Sequence, residues 1–251
     1  MPASVSRLTA PAGPRKRAAM VWQVALVVAG ALIAGAVWGL WGRLGDRTEG
    51  FLIALAGGAL LLSVVTELIE PSLEPAGLSL ASAGVLAGSA VFAAIDYWVD
   101  EKWGDNSGGG LLAAVTLDGV PENLALGVAL IGAGLPEVAA LAGSIMLSNL
   151  PEAAGGARDM HKSGLSRPRT LALWGGTALI LALTTVGGQS LLAGADEAVL
   201  AQIRCFAAGA VIASLATEVF PKAFREGHHL AGVATALGAV LALALSSLAG
   251  G

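Results

Sequence analysis

Charged residues are scarce in this chain. Asp, Glu, Lys and Arg make up 13% of its 251 residues, against roughly a quarter in ordinary soluble domains. Hydrophobic residues make up 55%, and the mean hydropathy is +0.76. A soluble fold of this length does not have enough interior for so many apolar side chains. The composition therefore excludes a soluble protein with a large core and predicts a membrane protein.

Cysteine and catalytic motifs are equally sparse. The single cysteine, Cys205, excludes an intramolecular disulfide and is expected to be a small buried apolar side chain. A net charge of −4 argues against nucleic acid as a partner. The sequence contains no HExxH motif, nucleophile motif, P-loop or dinucleotide fingerprint. We therefore expect no enzymatic activity and no ATP-driven step.

The apolar residues fall into eight long runs, each near the roughly 20 residues that a helix needs to cross a bilayer. They predict an all-α polytopic membrane protein with one transmembrane domain over residues 20–249, preceded by a disordered tail over residues 1–19. Tryptophans near the ends of these runs indicate interfacial aromatic belts. The predicted spans are 20–41, 51–70, 78–98, 111–133, 138–157, 171–193, 199–220 and 230–249. The tryptophans are Trp38, Trp41, Trp98, Trp103 and Trp174.

The basic residues between the spans predict an orientation. They lie in the loops after the first, third, fifth and seventh spans, and the opposite loops contain none. By the positive-inside rule the first set of loops is cytoplasmic, so both termini face outward. Arg15, Lys16 and Arg17 oppose this assignment because they precede the first span. The interhelical basic residues are Arg43, Arg47, Lys102, Arg158, Lys162, Arg167, Arg169, Lys222 and Arg225.

Two of the spans repeat one another. The second span contains GALLLSVVTE at 58–67, and the seventh contains GAVIASLATE at 209–218. The two spans cross in opposite directions, so the repeat is inverted, as in many alternating-access transporters. It places Glu67 near the outer surface and Glu218 near the cytoplasmic surface. Both are expected either to line a transport path or to snorkel at helix ends.

The fourth and fifth spans carry two related motifs, DGVPEN at 118–123 and SNLPEA at 148–153. A spacing of four residues puts Asp118 with Glu122, and Ser148 with Glu152, on one face of each helix. Asn149 lies one step around from Ser148. Carboxylates inside a membrane are costly and are functional candidates by default. The two motifs therefore predict one site built from two facing helices.

The prolines of these motifs add to the chemistry. Pro121 and Pro151 have no N–H and are expected to free the carbonyls of Leu117 and Leu147 by local unwinding. Freed carbonyls within a membrane need protein, a cavity or an ion to satisfy them. Carboxylate and neutral oxygens together suit a divalent cation. A proton relay without metal and a purely structural polar network remain the alternatives.

On these residues the chain resembles the ZIP family, the zinc- and iron-regulated transporter-like proteins. The family's helix-four motif, His-Asn-x-Pro-Glu-Gly, corresponds to DGVPEN, and its helix-five x-Pro-Glu motif corresponds to SNLPEA. The resemblance implies eight helices in an inverted three-two-three arrangement, outward termini, a bacterial cytoplasmic membrane and a homodimer. It also implies transport of a divalent metal toward the cytoplasm, with zinc favoured and iron, manganese or cadmium as alternatives.

Carried over by position, the resemblance assigns a first metal site to Asp118, Glu122, Ser148 and Glu152. It assigns a second site to Glu122, Asn149 and Glu152, with the glutamates bridging. Asp118 and Ser148 stand where the family usually has histidine or glutamine. The resulting all-oxygen site suits manganese, magnesium or ferrous iron at least as well as zinc.

Histidines occur only in predicted cytoplasmic loops, as His161, His228 and His229. They can receive metal that leaves the path, or they can simply be solvent-exposed polar residues. Two functions from other classes also fit the sequence. One is a metal-binding membrane sensor or scaffold without transport, and the other is a proton-coupled carrier of a small solute.

Overall fold

Helices joined by short turns make up the part of the chain that the computed structural model describes, residues 14–43, 45–103, 108–131 and 135–249. A π-helical turn, Val65–Ile69, and a 3-10 turn, Glu70–Ser72, link α2 to α3, and a second π-helical turn, Leu215–Val219, links α7 to α8. The helices are α1 (Pro14–Trp41), α2 (Asp46–Val64), α3 (Leu73–Trp103), α4 (Gly108–Ala129), α5 (Leu135–Lys162), α6 (Arg167–Leu192), α7 (Glu197–Ser214), α8 (Phe220–Gly227) and α9 (Leu230–Ala249).

Apolar side chains cover the outer faces of these helices. Leu26 of α1 and Leu179 of α6 are each 60% exposed, and Val240 of α9 is 61% exposed. Soluble proteins rarely leave contiguous apolar surface of this kind in water. Five helical stretches among the described residues are long and apolar enough to cross a membrane. The chain is therefore an all-α membrane protein. The five stretches are Arg15–Trp41, Asp46–Val99, Arg167–Leu192, Glu197–Gly227 and Leu230–Leu248.

The second of these stretches turns back on itself. Its 54 residues would measure about 80 Å as one straight helix at about 1.5 Å per residue, far more than the roughly 30 Å of hydrocarbon in a bilayer. Gly77 interrupts it with φ 72° and ψ 155°, a left-handed φ that glycine adopts without steric cost. The stretch is thus two helical legs, residues 46–76 and 78–99, which meet at Gly77 inside α3.

The helices pack so that α4 and α5 face the interior. α5 packs against α1, α2 and α9, while α4 packs against α6, α7 and α3. Leu126 of α4 and Ile145 of α5 are fully buried in one core cluster with Leu60 and Leu215. A second cluster surrounds the fully buried Trp174 of α6. The motifs of the central pair are thereby enclosed by protein.

Close helix contacts recur at glycines of the repeated segments. A methyl group at Gly58 of α2 would overlap the carbonyl oxygen of Thr235 in α9. A methyl group at the matching Gly209 of α7 would overlap the carbonyl oxygen of Val85 in α3. Small residues are what allows membrane helices to approach so closely, because packing drives their association in lipid.

We expect Gly209→Ala to destabilise the protein. The added methyl meets a backbone carbonyl rather than a flexible side chain, so the helices must separate, at about 1–3 kcal/mol. Gly176→Ala in α6 is the matched control, since nothing lies within 4 Å of its added methyl, and a helical glycine replaced by alanine gains about 0.5–1 kcal/mol. Thermal unfolding in detergent compares the two. Equal midpoints would contradict the close packing of α7 on α3.

The described part of the predicted tail is helical. Residues 14–19 form the first turns of α1, which begins at Pro14, although disorder was predicted for residues 1–19. Proline is favoured at the first helical position, and lysine and arginine are good helix formers. Arg15, Lys16 and Arg17 are exposed on this extension. Residues 1–13 lie outside the described residues.

The predicted unwinding at the two central prolines is wrong. Pro121 and Pro151 both lie inside continuous helices, because packed neighbours allow a proline within a membrane helix. The irregular backbone lies instead in the two π-helical turns, which contain Glu67 and Glu218. Turns of this kind occur frequently at functional sites.

The predicted aromatic belt is partly wrong as well. Trp41 and Trp98 are 54% and 55% exposed, as expected at an interface, but Trp174 is fully buried. Its ring belongs to a core cluster with residues of α1, α4 and α5, so packing outweighs any preference for the interface. The side chain of Trp103 lies outside the described residues. Cys205 is buried, as predicted.

Candidate functional site

A cavity of about 80 Å³ lies between the central helices. Asp118 of α4 lines it together with Ser148 and Glu152 of α5, and Glu218 of the second π-helical turn contributes a third carboxylate. Acidic side chains from three separate elements thus converge on one space. The remaining lining residues are Ile53, Val115, Val219 and Lys222.

The cavity lies toward the end of the bundle that carries most of the basic residues, here called the basic end. Arg167 at the start of α6 lies over the Trp41 ring at the end of α1, 5.2 Å from its centroid. Arg158 near the end of α5 meets Asp46 at the start of α2. The helix ends that carry these residues therefore share one side of the bundle, and Lys222 connects the cavity to it.

The carboxylates form a linked acidic group. Asp118 lies within electrostatic range of Glu122, Glu152 and Glu218, and Ser214 lies beside it. Glu122 in turn lies within range of Glu152. Asp118 and Glu122 are each 6% exposed, so water does little to screen their mutual repulsion. The arrangement attracts positive charge.

Glu122 and Asn149 are buried but do not belong to the described lining of the cavity. Asn149 is 2% exposed. The amide nitrogen of Asn149 donates a hydrogen bond of 3.3 Å to the carbonyl oxygen of Val28 in α1. The structure thus brings Asp118, Ser148 and Glu152 together at the cavity but directs Asn149 toward α1.

Asn123 helps to fix α4 against α6. Its amide nitrogen donates to the Gly119 carbonyl oxygen at 2.8 Å, and its side-chain oxygen accepts a 3.0 Å bond from the Thr185 hydroxyl. Asn123 is fully buried. Satisfied polar groups of this kind hold neighbouring helices in a defined register, which sets the direction of Asp118 and Glu122.

The cavity wall also contains a lysine that the sequence predicted to lie in a cytoplasmic loop. Lys222, on α8, lines the cavity and lies 3.4 Å from Oε1 of Glu49 in α2. Glu49 is fully buried and also binds Arg158 of α5, 2.8 Å from its other carboxylate oxygen. The spacing of four between Glu218 and Lys222, which puts both on one helix face, is the sequence signal that points to Lys222.

Glu67 occupies a different setting from Glu218. It lies in the π-helical turn after α2 and accepts hydrogen bonds from Ser246 at 3.1 Å and from Thr66 at 3.4 Å. It is half-buried and is not among the described residues that line the cavity. The structure therefore brings Glu218, but not Glu67, to the central group.

The three histidines lie at turns of the basic end and are exposed. Nδ1 of His161 is 2.8 Å from the Leu165 carbonyl oxygen, and the His229 ring packs edge-on against Phe224 at 6.1 Å. None of the three, His228 included, is among the described lining residues.

No three His, Cys, Asp or Glu side chains within the described ranges converge closely enough to hold a metal ion. Asp118, Glu152 and Glu218 are arranged around an open space rather than around one point. Such an arrangement can admit a cation with part of its water shell, and the carboxylates must move inward to coordinate it directly.

Comparisons with known proteins give no family assignment. No protein-family model matches the chain, and no curated protein matches it. The function must therefore be argued from the site itself.

Proposed function

We propose that the protein transports divalent cations across the membrane by alternating access. One observation carries the proposal: the carboxylates of Asp118, Glu152 and Glu218, from three separate elements, line one cavity inside a helix bundle. Burying charge in a membrane protein is costly and marks ion or proton paths. When ionised, these three carboxylates outnumber the one lysine by two charges, which a dication neutralises.

The packing of the helices supports an inverted repeat. Exchange of α1 with α6, α2 with α7, α3 with α9 and α4 with α5 converts the most extensive helix contacts into one another. The pair α1–α5 becomes α4–α6, α3–α7 becomes α2–α9, and α2–α5 becomes α4–α7. The glycine contacts follow the same exchange, since Gly88 meets the carbonyl of Phe206 as Gly238 meets that of Leu55. This is the symmetry expected of two inverted halves around a central pair.

On this proposal the chain spans the membrane eight times. α4 and α5, at 22 and 28 residues, complete the set formed by α1, α2, α3, α6, α9 and the continuous α7–α8 unit. The basic end faces the cytoplasm by the positive-inside rule, and both termini face outward. The cavity is then the cytoplasmic half of the path. Buried apolar residues around Leu126 and Ile145 close the outer half.

The substrate follows from the ligands. Asp118, Ser148, Glu152 and Glu218 offer oxygen atoms, which suit manganese, magnesium or ferrous iron at least as well as zinc. The x-Pro-Glu motifs resemble those of the ZIP family, which favours zinc or iron moving toward the cytoplasm. Glu122, within range of Glu152, joins the site when the carboxylates close on the ion. The histidines of the basic end receive the metal on release.

Uptake into proteoliposomes tests this function. We expect saturable uptake of ⁶⁵Zn²⁺ or ⁵⁴Mn²⁺ by the wild type, lost when Glu122→Ala and Glu152→Ala are combined. Glu74→Ala is the control, because Glu74 is exposed and is not among the described residues that line the cavity. Binding without flux would indicate a metal sensor or scaffold instead. A solute flux that depends on pH and ignores every divalent cation would indicate a proton-coupled carrier.

A further inference from the structure

Lys222 is the one cation among the described residues that line the cavity. A fixed positive charge beside Asp118, Glu152 and Glu218 opposes the entry of another cation, because like charges repel strongly where water is scarce. On the proposed function, this repulsion must be relieved when the substrate enters the cavity.

The lysine has several acidic neighbours, Glu226 among them, and it can move between two of these, Glu49 and Glu152. Its amine lies 3.4 Å from Oε1 of Glu49, and it lies within electrostatic range of Glu152. The four-carbon stem of lysine is flexible and carries a compact charge. Its side chain is 26% exposed and lines the cavity, so part of it faces open space rather than packed neighbours.

Glu49 does not depend on Lys222 for its counter-charge. Arg158 lies 2.8 Å from Oε2 of Glu49 and also pairs with Asp46 and Asp159. When Lys222 turns toward Glu152, the buried Glu49 therefore keeps a cation. When Lys222 turns toward Glu49, it joins an ion pair that already exists. Both positions are electrostatically supported.

We propose that Lys222 is a tethered cation that neutralises the cavity carboxylates when no substrate is bound and withdraws toward Glu49 when a divalent ion binds Glu152. The inference rests on the proposed function. Lys222 then competes with the substrate at every cycle, which weakens binding and promotes release. It also keeps the empty site from carrying an unbalanced group of buried negative charges, whose cost would hinder the return of the empty carrier.

Binding of Zn²⁺ and Mn²⁺ to the purified full-length protein, measured by titration calorimetry, tests the inference. We expect Lys222→Met, which keeps the stem and removes the charge, to bind about tenfold more tightly, a change of about 1.4 kcal/mol. Lys222→Arg keeps the charge and is expected to stay near wild type. Lys162→Met is the control for loss of a positive charge at the basic end, since Lys162 is 67% exposed and pairs with Asp159. Equal or weaker binding by Lys222→Met would overturn the inference.

A measurement on the wild type keeps the test independent of how the variants fold. Acylation of the Lys222 amine, followed by mass spectrometry, is expected to slow when saturating Zn²⁺ drives the amine toward buried Glu49. An unchanged or faster rate would contradict the withdrawal. If the wild type binds neither ion, the proposed function and the inference both fail. If the wild type binds and Lys222→Met binds with the same affinity, the inference alone fails.

Discussion

Glu49→Gln is expected to destabilise the protein by about 3 kcal/mol, near the lower end of the roughly 3–5 kcal/mol that follows when a buried ion pair loses one partner. Glu49 is fully buried between Arg158 and Lys222, at 2.8 Å and 3.4 Å. Its loss leaves both cations beside an uncharged amide. The expected loss of stability lies near the lower end of this range because Arg158 keeps its ion pairs with Asp46 and Asp159. Unfolding of the purified protein in mixed micelles measures the change.

Asp46→Asn is the matched control. Asp46 pairs with the same guanidinium at 3.4 Å, but its side chain is 77% exposed. Exposed pairs of this kind contribute about 0–1 kcal/mol, so we expect little change. If the two variants unfold at the same denaturant concentration, Glu49 is not the buried centre of the ion-pair group at the basic end.

The helical, membrane-embedded character of the chain was predictable because its signals are local. Apolar runs of about 20 residues and the recurrence of GALLLSVVTE as GAVIASLATE can be read directly from the sequence. The lengths were less predictable. α5 extends beyond the predicted span 138–157 to Leu135–Lys162, and α3 continues past residue 98 to Trp103, because polar helix ends continue the hydrogen-bonded ladder past the apolar run.

The position of irregular backbone was not predictable from proline alone. Pro121 and Pro151 looked like breakers, yet their helices continue through them. The π-helical turns form around Glu67 and Glu218, in segments where no glycine or proline precedes the glutamate closely. A proline, Pro71 or Pro221, follows each turn, so the local sequence marks these segments, but the continuous helices at Pro121 and Pro151 show that proline alone does not decide where a helix absorbs an extra residue.

The site was predictable where helix spacing alone decides the direction of a side chain. Asp118, Ser148 and Glu152 share the cavity, as the spacing of four residues and the facing motifs indicated. Asn149 points to Val28 instead, because the rotation of α5 against α1 decides which of two adjacent residues faces the cavity. The spacing of four between Glu218 and Lys222 points to Lys222, but its pairing with Glu49 depends on the packing of α2 against α8, which no local pattern encodes.

Glu67 and Glu218 occupy matching positions of the repeat, so a substitution at one is the control for the same substitution at the other. Glu218 lines the cavity, whereas Glu67 accepts hydrogen bonds from Ser246 and Thr66 away from it. If dications bind in the cavity, Glu218→Gln is expected to weaken binding of Zn²⁺ or Mn²⁺ by at least about 30-fold, or about 2 kcal/mol, as loss of a buried charge partner does. Glu67→Gln is expected to remain within about threefold of wild type, because a side-chain amide can still accept both hydrogen bonds.

Titration calorimetry on both variants in detergent distinguishes the two outcomes. A large loss confined to Glu218→Gln means that the cavity at the basic end holds the ion. Equal losses mean that both carboxylates belong to one continuous path, because Glu67 then contributes despite its distance from the cavity. No loss in either variant would remove Glu218 from the binding site and leave Asp118 and Glu152 as its acidic members. The two variants are directly comparable, because each substitution removes one negative charge from a Thr-Glu dipeptide within a π-helical turn.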